Sequence, residues 1–326
     1  MRSALAHEPP RVRAPTCHTS ARVAALWASC LIASTGWAAG ATVSMLGSKT
    51  SASETTATEA WPSADAVHPL AEQSLSLDPA SVAALVRPLP ATERIKVIHD
   101  WVVLTLRYES GHGVPQSPSE VLRRGTASCE GYAGLVEALG SSAGLEVVTI
   151  HGLFAMPDGP PQPHAWNAVR LDGRWQLLDA TLDDPTVRGA GDERRAFRTD
   201  YFLIPPEVAQ LDHWPFEGRW QLTSSRPSRE AFEHRPRSNS PSLLKAGLEL
   251  LAGPTEHQGT TQVRLANRGH RFVLLALDGQ RCGPPTNAPL VELDCPRRAP
   301  GARLELLAND EKEGLFLTVH EFSRGP

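Results

Sequence analysis

The sequence predicts an α+β fold, with helices and antiparallel strands up to about residue 225 and a small all-β domain after it. Three observations carry this. Downstream of Cys129, the residues Tyr132, Leu135, Val136 and Leu139 recur at helical spacing, and Gly144 sits just past the expected helix end. Leu171-Asp172-Gly173-Arg174 is a hairpin signal, because Asp-Gly supplies the two positive-φ residues of a type I′ turn. From about Leu243 to Pro326, apolar and polar residues alternate around turns, as in Gln262-Val263-Arg264-Leu265 and Phe272-Val273-Leu274-Leu275, which points to a sandwich.

Taken in order, the chain of 326 residues, 41% hydrophobic, has room for about two folded domains. Its net charge of −4 gives no electrostatic footprint for nucleic acid. Residues 1–41 read as an export signal: Arg2, Arg11, Arg13 and Arg22 precede the apolar run Val23–Ala33, and Ala39-Gly40-Ala41 matches a small-residue cleavage site. An uncleaved anchor is the alternative. Residues 42–75 read as a linker, since their Ser, Thr, Ala and Glu cannot bury enough apolar surface to order themselves.

The catalytic-type domain is expected over 76–225. Asp78-Pro79 is a helix start, with Asp as cap and Pro in the first turn. A second helix runs from about Thr92 through Ile95, Ile98, Trp101, Val102 and Leu106, with Trp101 in the core. Ser117-Pro118-Ser119-Glu120 opens a short helical piece that ends in Arg123 and Arg124, a solvated pair. After the Cys129 helix, Glu146–Ile150 and Tyr201–Ile204 read as strands, and Met156–Pro163 is a Pro/Gly-rich loop at the border of a groove. Residues 226–242 read as a linker before the all-β domain at 243–326, which shows no catalytic constellation and is a candidate for contact with a cell-envelope partner.

Cysteine usage singles out one residue. Cys17 and Cys30 fall in the presequence, and Cys282 and Cys295 flank a Pro-rich loop and are placed to pair in an oxidising compartment. Cys129 is left as a lone thiol in an exported chain. Without a C-x-x-C or H-E-x-x-H grouping, no metal or other cofactor is expected.

The hairpin supplies that thiol with partners. With Asp172 and Gly173 as the loop, Asp179 falls opposite Trp166 and His164 opposite Thr181, and all four project from one face. His164 and Asp179 become diagonal neighbours roughly 7 Å apart at the backbone, within side-chain reach. A one-residue slip would separate them. A thiol at a helix start, an imidazole and a carboxylate make a Cys129–His164–Asp179 nucleophile, base and orienting acid. Helix-start N–H groups are aimed where an oxyanion would form. Trp166, on the same face, is a candidate substrate contact. His213 has no acid partner at a readable register and reads as structural.

At these residues the sequence resembles the transglutaminase-like superfamily. The motifs are Cys129-Glu130-Gly131-Tyr132-Ala133, His164-Ala165-Trp166-Asn167-Ala168-Val169 and Trp175-Gln176-Leu177-Leu178-Asp179-Ala180-Thr181. Ile98-His99-Asp100-Trp101 with Tyr108, and His213-Trp214-Pro215 with Trp220-Gln221-Leu222, are similar to its kyphoscoliosis-peptidase branch and related bacterial proteins. The resemblance spans about residues 90–225. It implies a papain-like core, with the nucleophile on a helix packed against an antiparallel sheet, and the same three roles for Cys129, His164 and Asp179. For the oxyanion side chain, Gln116 and Trp101 are candidates. The expected activity is an exported cysteine peptidase or amidase acting on a protein or peptide through an acyl-thioester. The alternatives are glutamine acyl transfer to an amine and a silent scaffold. The sequence leaves the oligomeric state open.

Overall fold

The Asp172-Gly173 turn sets the register of the main sheet. In the computed structural model, which describes residues 61, 66–111, 116–156, 158–188, 197–235 and 239–322, both turn residues lie at positive φ (47° and 79°). That is the type I′ geometry. Leu171 pairs with Arg174 and Asn167 with Leu178, the expected register. The expected export signal, with Cys17 and Cys30, and the linker up to residue 60 lie outside the described residues.

The hairpin strands Gln162–Leu171 and Arg174–Leu178 belong to a four-stranded antiparallel sheet. Val147–Phe154 joins on the other side of the long strand, and His213–Pro215 forms the far edge. The helix Cys129–Ser142 packs on this sheet through Tyr132, Leu135, Val136 and Leu139, which are all buried. Asn167 Nδ2 donates to Ala133 O at 3.0 Å, and Thr149 N–H donates to Glu137 Oε2 at 2.9 Å. These bonds pin the helix to the sheet and satisfy polar groups that burial would otherwise penalise.

Behind the cysteine helix lie Pro79–Val86, capped by Asp78 as expected, and Ala91–Thr105. The latter is buried without a break from Ile95 to Val103, although it carries Lys96, His99 and Asp100. Those charges survive burial because they are paired. Lys96 bonds Asp100, while His99 bonds Asp100 Oδ1 at 2.9 Å and Asp183 Oδ2 at 3.1 Å. Trp101 is core, and its Nε1 donates to Ser74 O at 3.0 Å. Arg123 and Arg124 pair with Glu120 and Glu109.

Four expectations need correction. Tyr201–Ile204 is a buried turn, with Leu203 at φ 49°, and only Ile204 makes a bridge, to Leu177. The strand expected at Glu146–Ile150 runs on to Phe154. Within the expected linker at 226–242, Ser228 caps a helix at Arg229–Glu233 that is anchored by the buried Phe232. The end of the expected 42–75 linker carries the helix Pro69–Gln73, where Ala71 is fully buried.

Residues beyond Pro241 form the expected sandwich. One sheet runs Leu290–Pro296, Thr260–Asn267, Leu248–His257, and the other holds Phe272–Leu277, Leu304–Asn309 and Leu317–Phe322 with a short edge strand at Gln280–Arg281. Both sheets contribute to one core, including Val263, Leu265, Leu275, Val291, Leu304 and Leu306. Cys282 and Cys295 form a disulfide, and Cys129 is free. Asp200 ties this part to the rest, accepting from Arg198 at 2.5 Å and from Ser242 Oγ at 2.7 Å. Among the described residues, no helix is long and apolar enough to cross a membrane.

Candidate active site

Cys129 is the first residue of its helix and is partly exposed. Ser128 before it is extended and makes no side-chain cap. The helical bonds to Ser128 O begin with Gly131 N–H (2.9 Å) and Tyr132 N–H (3.1 Å). The Cys129 and Glu130 N–H groups therefore stand ahead of the first helical bond, where the helix dipole is positive. The strand Thr126–Ala127, paired in parallel with Arg107–Tyr108, fixes the approach to this helix.

The sheet brings His164 to the thiol. Its Nε2 bonds Asp179 Oδ2 at 2.5 Å, and Cys129 stands near enough to favour charge on the same imidazole. With Nε2 engaged by the carboxylate, Nδ1 is the atom left for sulfur. Asp179 does not continue the strand as expected. Ladder pairing stops at Leu178, and Asp179 instead caps the short helix Ala180–Asp183. Its Oδ1 accepts from Thr181 N–H (2.9 Å) and Leu182 N–H (3.2 Å), which fixes the carboxylate and turns Oδ2 to the imidazole. Sequence reasoning thus paired His164 with Asp179, although the acid lies one step outside the strand it was assigned to.

It missed a fourth. His213 Nε2 lies 3.1 Å from the same Asp179 Oδ2, and His213 Nδ1 lies 2.7 Å from Asp212 Oδ1. Tyr201 OH donates to Asp212 Oδ2 at 2.7 Å. The expectation that His213 lacks an acid partner is therefore wrong. It has two, one supplied by the residue beside it and one by a strand end 34 positions away. The adjacent Asp212-His213 pair was the only local signal.

Aromatic rings enclose the imidazoles. Phe154 lies 5.4 Å from His164 and 5.3 Å from His213, and Trp166 lies 6.1 and 4.8 Å from them. Trp166 is only 2% exposed and packs behind the imidazoles, so it does not reach a substrate as expected. Gly152 makes this packing feasible: a Cβ there would stand 2.3 Å from Trp214 O and 2.5 Å from Trp166 Cη2. Of the two oxyanion candidates, Trp101 is buried with its Nε1 donating to Ser74 O, whereas Gln116 turns its Oε1 toward Gly131 in the first turn of the cysteine helix.

The electrostatics follow from this packing. Burial works against charge on His164, but the Asp179 charge and bond, together with the Cys129 contact, outweigh it and push the imidazole up to about 10. Burial likewise disfavours the Asp179 carboxylate, yet His164 and His213 hold it far below the usual carboxylate range. His213 is also raised, with burial again opposed by Asp212 and Asp179. Tyr108, raised by burial and then by the negative charges of Cys129 and Asp179, stands at the same site.

His164, Asp179 and His213 also present ligand-type atoms within 4.8 Å of one another. The spacing suits shared protons better than an ion. Two ligands on a tetrahedral zinc with 2.0–2.1 Å bonds stand about 3.3 Å apart, whereas His164 and Asp179 are 2.5 Å apart.

Residues 81–180 match the family model described as "Transglutaminase-like superfamily", a segment that includes Cys129, His164 and Asp179. The chain is 30% identical over 206 residues to the kyphoscoliosis peptidase of Mus musculus, covering 58% of this chain and 31% of that protein. It is 29% identical over 188 residues to the kyphoscoliosis peptidase of Homo sapiens, covering 54% and 28%. The chain thus spans about a third of the length of these relatives. A crystal structure of a TGase shows 16% identity over 32% of this chain and 31% of that one, with a TM-score of 0.27. On its motifs and the matched segment, residues 81–180 of this chain form a domain of the transglutaminase-like superfamily.

Proposed function

We propose that this chain is a cysteine peptidase or amidase that cleaves an amide bond of a protein or peptide. The observation that carries the reading is the His164 imidazole held at 2.5 Å by Asp179, with the partly exposed Cys129 at the helix start beside it. Such a pair works as thiolate and imidazolium. The Cys129 sulfur attacks the amide carbonyl and forms the C–S bond, while the carbonyl electrons move onto oxygen. The Cys129 N–H, ahead of the first helical bond, is the donor at the open helix start for that oxyanion.

His164 Nδ1 then gives its proton to the departing amine, the C–N bond breaks, and an acyl-thioester remains. A water molecule gives a proton back to Nδ1 as its oxygen attacks the thioester. Collapse frees the acid and returns the thiolate–imidazolium pair. Asp179 stays ionised throughout, holding the ring by Nε2. The peptidase names of the two relatives favour water as the acceptor. The Cys282–Cys295 disulfide supports work in an oxidising, exported setting, in keeping with the signal expected at residues 1–41.

The test is an unbiased peptide-library digest by the protein and by Cys129→Ala. New N-termini made only by the unsubstituted chain are the expected result, and equal cleavage by both overturns the proposal. A labelled amine with a glutamine-containing protein identifies the alternative chemistry: label fixed in the protein means acyl transfer in place of hydrolysis.

A further inference from the structure

We propose that His213, backed by Asp212, is a positioning residue of the thiol site: it grips the second bonding position of Asp179 Oδ2 and limits how strongly that carboxylate acts on His164. This rests on the catalytic reading of Cys129, His164 and Asp179. His213 lies outside residues 81–180, so the matched family segment does not include it.

The first argument concerns protons. Both ring nitrogens of His213 face carboxylate oxygens, Asp179 Oδ2 at 3.1 Å and Asp212 Oδ1 at 2.7 Å. A neutral imidazole has one N–H and would set its bare nitrogen against one of these oxygens; only the imidazolium donates to both. His213 is buried, so a lone pair facing an anion there would go unrelieved by water. A cation is thus built into the back of the site, with its counter-charge divided between Asp212 and Asp179.

The second argument concerns Asp179. Its Oδ1 is used up by the Thr181 and Leu182 N–H groups, so His164 and His213 must share Oδ2. The two rings stand 5.6 Å apart. A carboxylate serving one imidazole alone would bind its proton more tightly, and the second cation also repels the first. Both effects act in one direction: His213 makes His164 a better proton donor to a leaving amine. A proton held too tightly is of no use to general-acid catalysis.

The charged and titratable groups around His213 are Asp212 on its own segment, Asp179 at the cap of Ala180–Asp183, His164 on the central strand and Tyr201, whose hydroxyl bonds Asp212. Cys129 lies beyond His164, and Tyr108 stands near the sulfur. Phe154 and Trp166 supply apolar walls. Asp212 meets neither the thiol nor His164 in any bond described, which gives a handle on His213 that leaves the three reacting groups in place.

The test follows histidine ring protonation by nitrogen-15 NMR against pH in the unsubstituted protein, His213→Gln and Asp212→Asn. The expected result is a doubly protonated His213 at neutral pH in the unsubstituted protein. In both variants the His164 midpoint moves upward, by roughly two pH units for His213→Gln from a unit charge near 5.6 Å at an effective dielectric of about 20. A packing role alone would lower stability without moving that midpoint upward. The proposal is overturned if His164 stays where it was in either folded variant, or moves down. Should the unsubstituted His164 titrate like an ordinary histidine, the catalytic pair itself fails, a result distinct from failure of the His213 role.

Discussion

Replacing Asp179 by Asn separates the charge of this residue from its capping role. Asn is about as good an N-cap as Asp, so the bonds from Thr181 and Leu182 N–H persist and the local chain path holds. What disappears is the negative charge that keeps His164 protonated up to about 10. With burial then acting against the imidazolium, His164 falls to its ordinary value near 6.5 or below. At pH 8, a histidine at 6.5 is about 3% protonated, so the loss of the proton donor alone predicts about a thirty-fold fall in kcat/KM.

Stability changes with a defined sign. The folded value of His164 is raised above 6.5, so its contribution is complete below that pH and is lost as pH climbs through about 10. Asp179 is depressed, so its contribution is present above the ordinary carboxylate value of 3.8 and is lost as pH falls beneath it. Asp179→Asn removes both dependences. Asp179→Ala should cost about 1 kcal/mol more than Asp179→Asn, because the cap goes too. The assay is kcat/KM against pH on a peptide taken from the library digest, alongside thermal unfolding. An alkaline limb for Asp179→Asn that stays at the unsubstituted position would refute the reasoning.

Two further perturbations reach other parts of the structure. Gly152→Ala places a Cβ 2.3 Å from Trp214 O, so the His213–Pro215 strand must move; a loss of about 1–3 kcal/mol in chemical denaturation is expected, with slower turnover, and unchanged stability would contradict the tight approach. Burial depresses His320 to about 4, so the sandwich is at full stability above about 6.5 and weakens as pH falls through that window, by up to about 3 kcal/mol. His320→Leu should flatten the melting temperature between pH 6.5 and 4, and an unaltered slope would be the contrary result.

What could be read from the sequence was set by local chemistry. Asp172-Gly173 fixes a turn within two residues, and the turn fixes a register, so the approach of His164 to Asp179 was legible across fifteen positions. The Cys129 helix announced itself by the spacing of Tyr132, Leu135, Val136 and Leu139. Partners fixed only by tertiary packing were not legible. The His213–Pro215 strand is three residues long and pairs with Gly152–Phe154, about sixty positions earlier, so no periodicity marks it. Lys96, His99 and Asp100 look like the wet face of a helix until Asp183, 84 residues beyond His99, closes the pair. Tyr201–Ile204 has the apolar run of a strand, but Leu203 at positive φ turns it into a corner whose backbone holds Asp179 and whose hydroxyl holds Asp212.

The central claim is that the sulfur of Cys129 carries an acyl group in transit. Mixing the protein with a p-nitrophenyl ester of a short acid and recording intact mass within one turnover tests this directly. The account predicts one acyl mass added at Cys129, removed by water at a rate that falls in His164→Ala. No adduct, or the same adduct on Cys129→Ala, would contradict it.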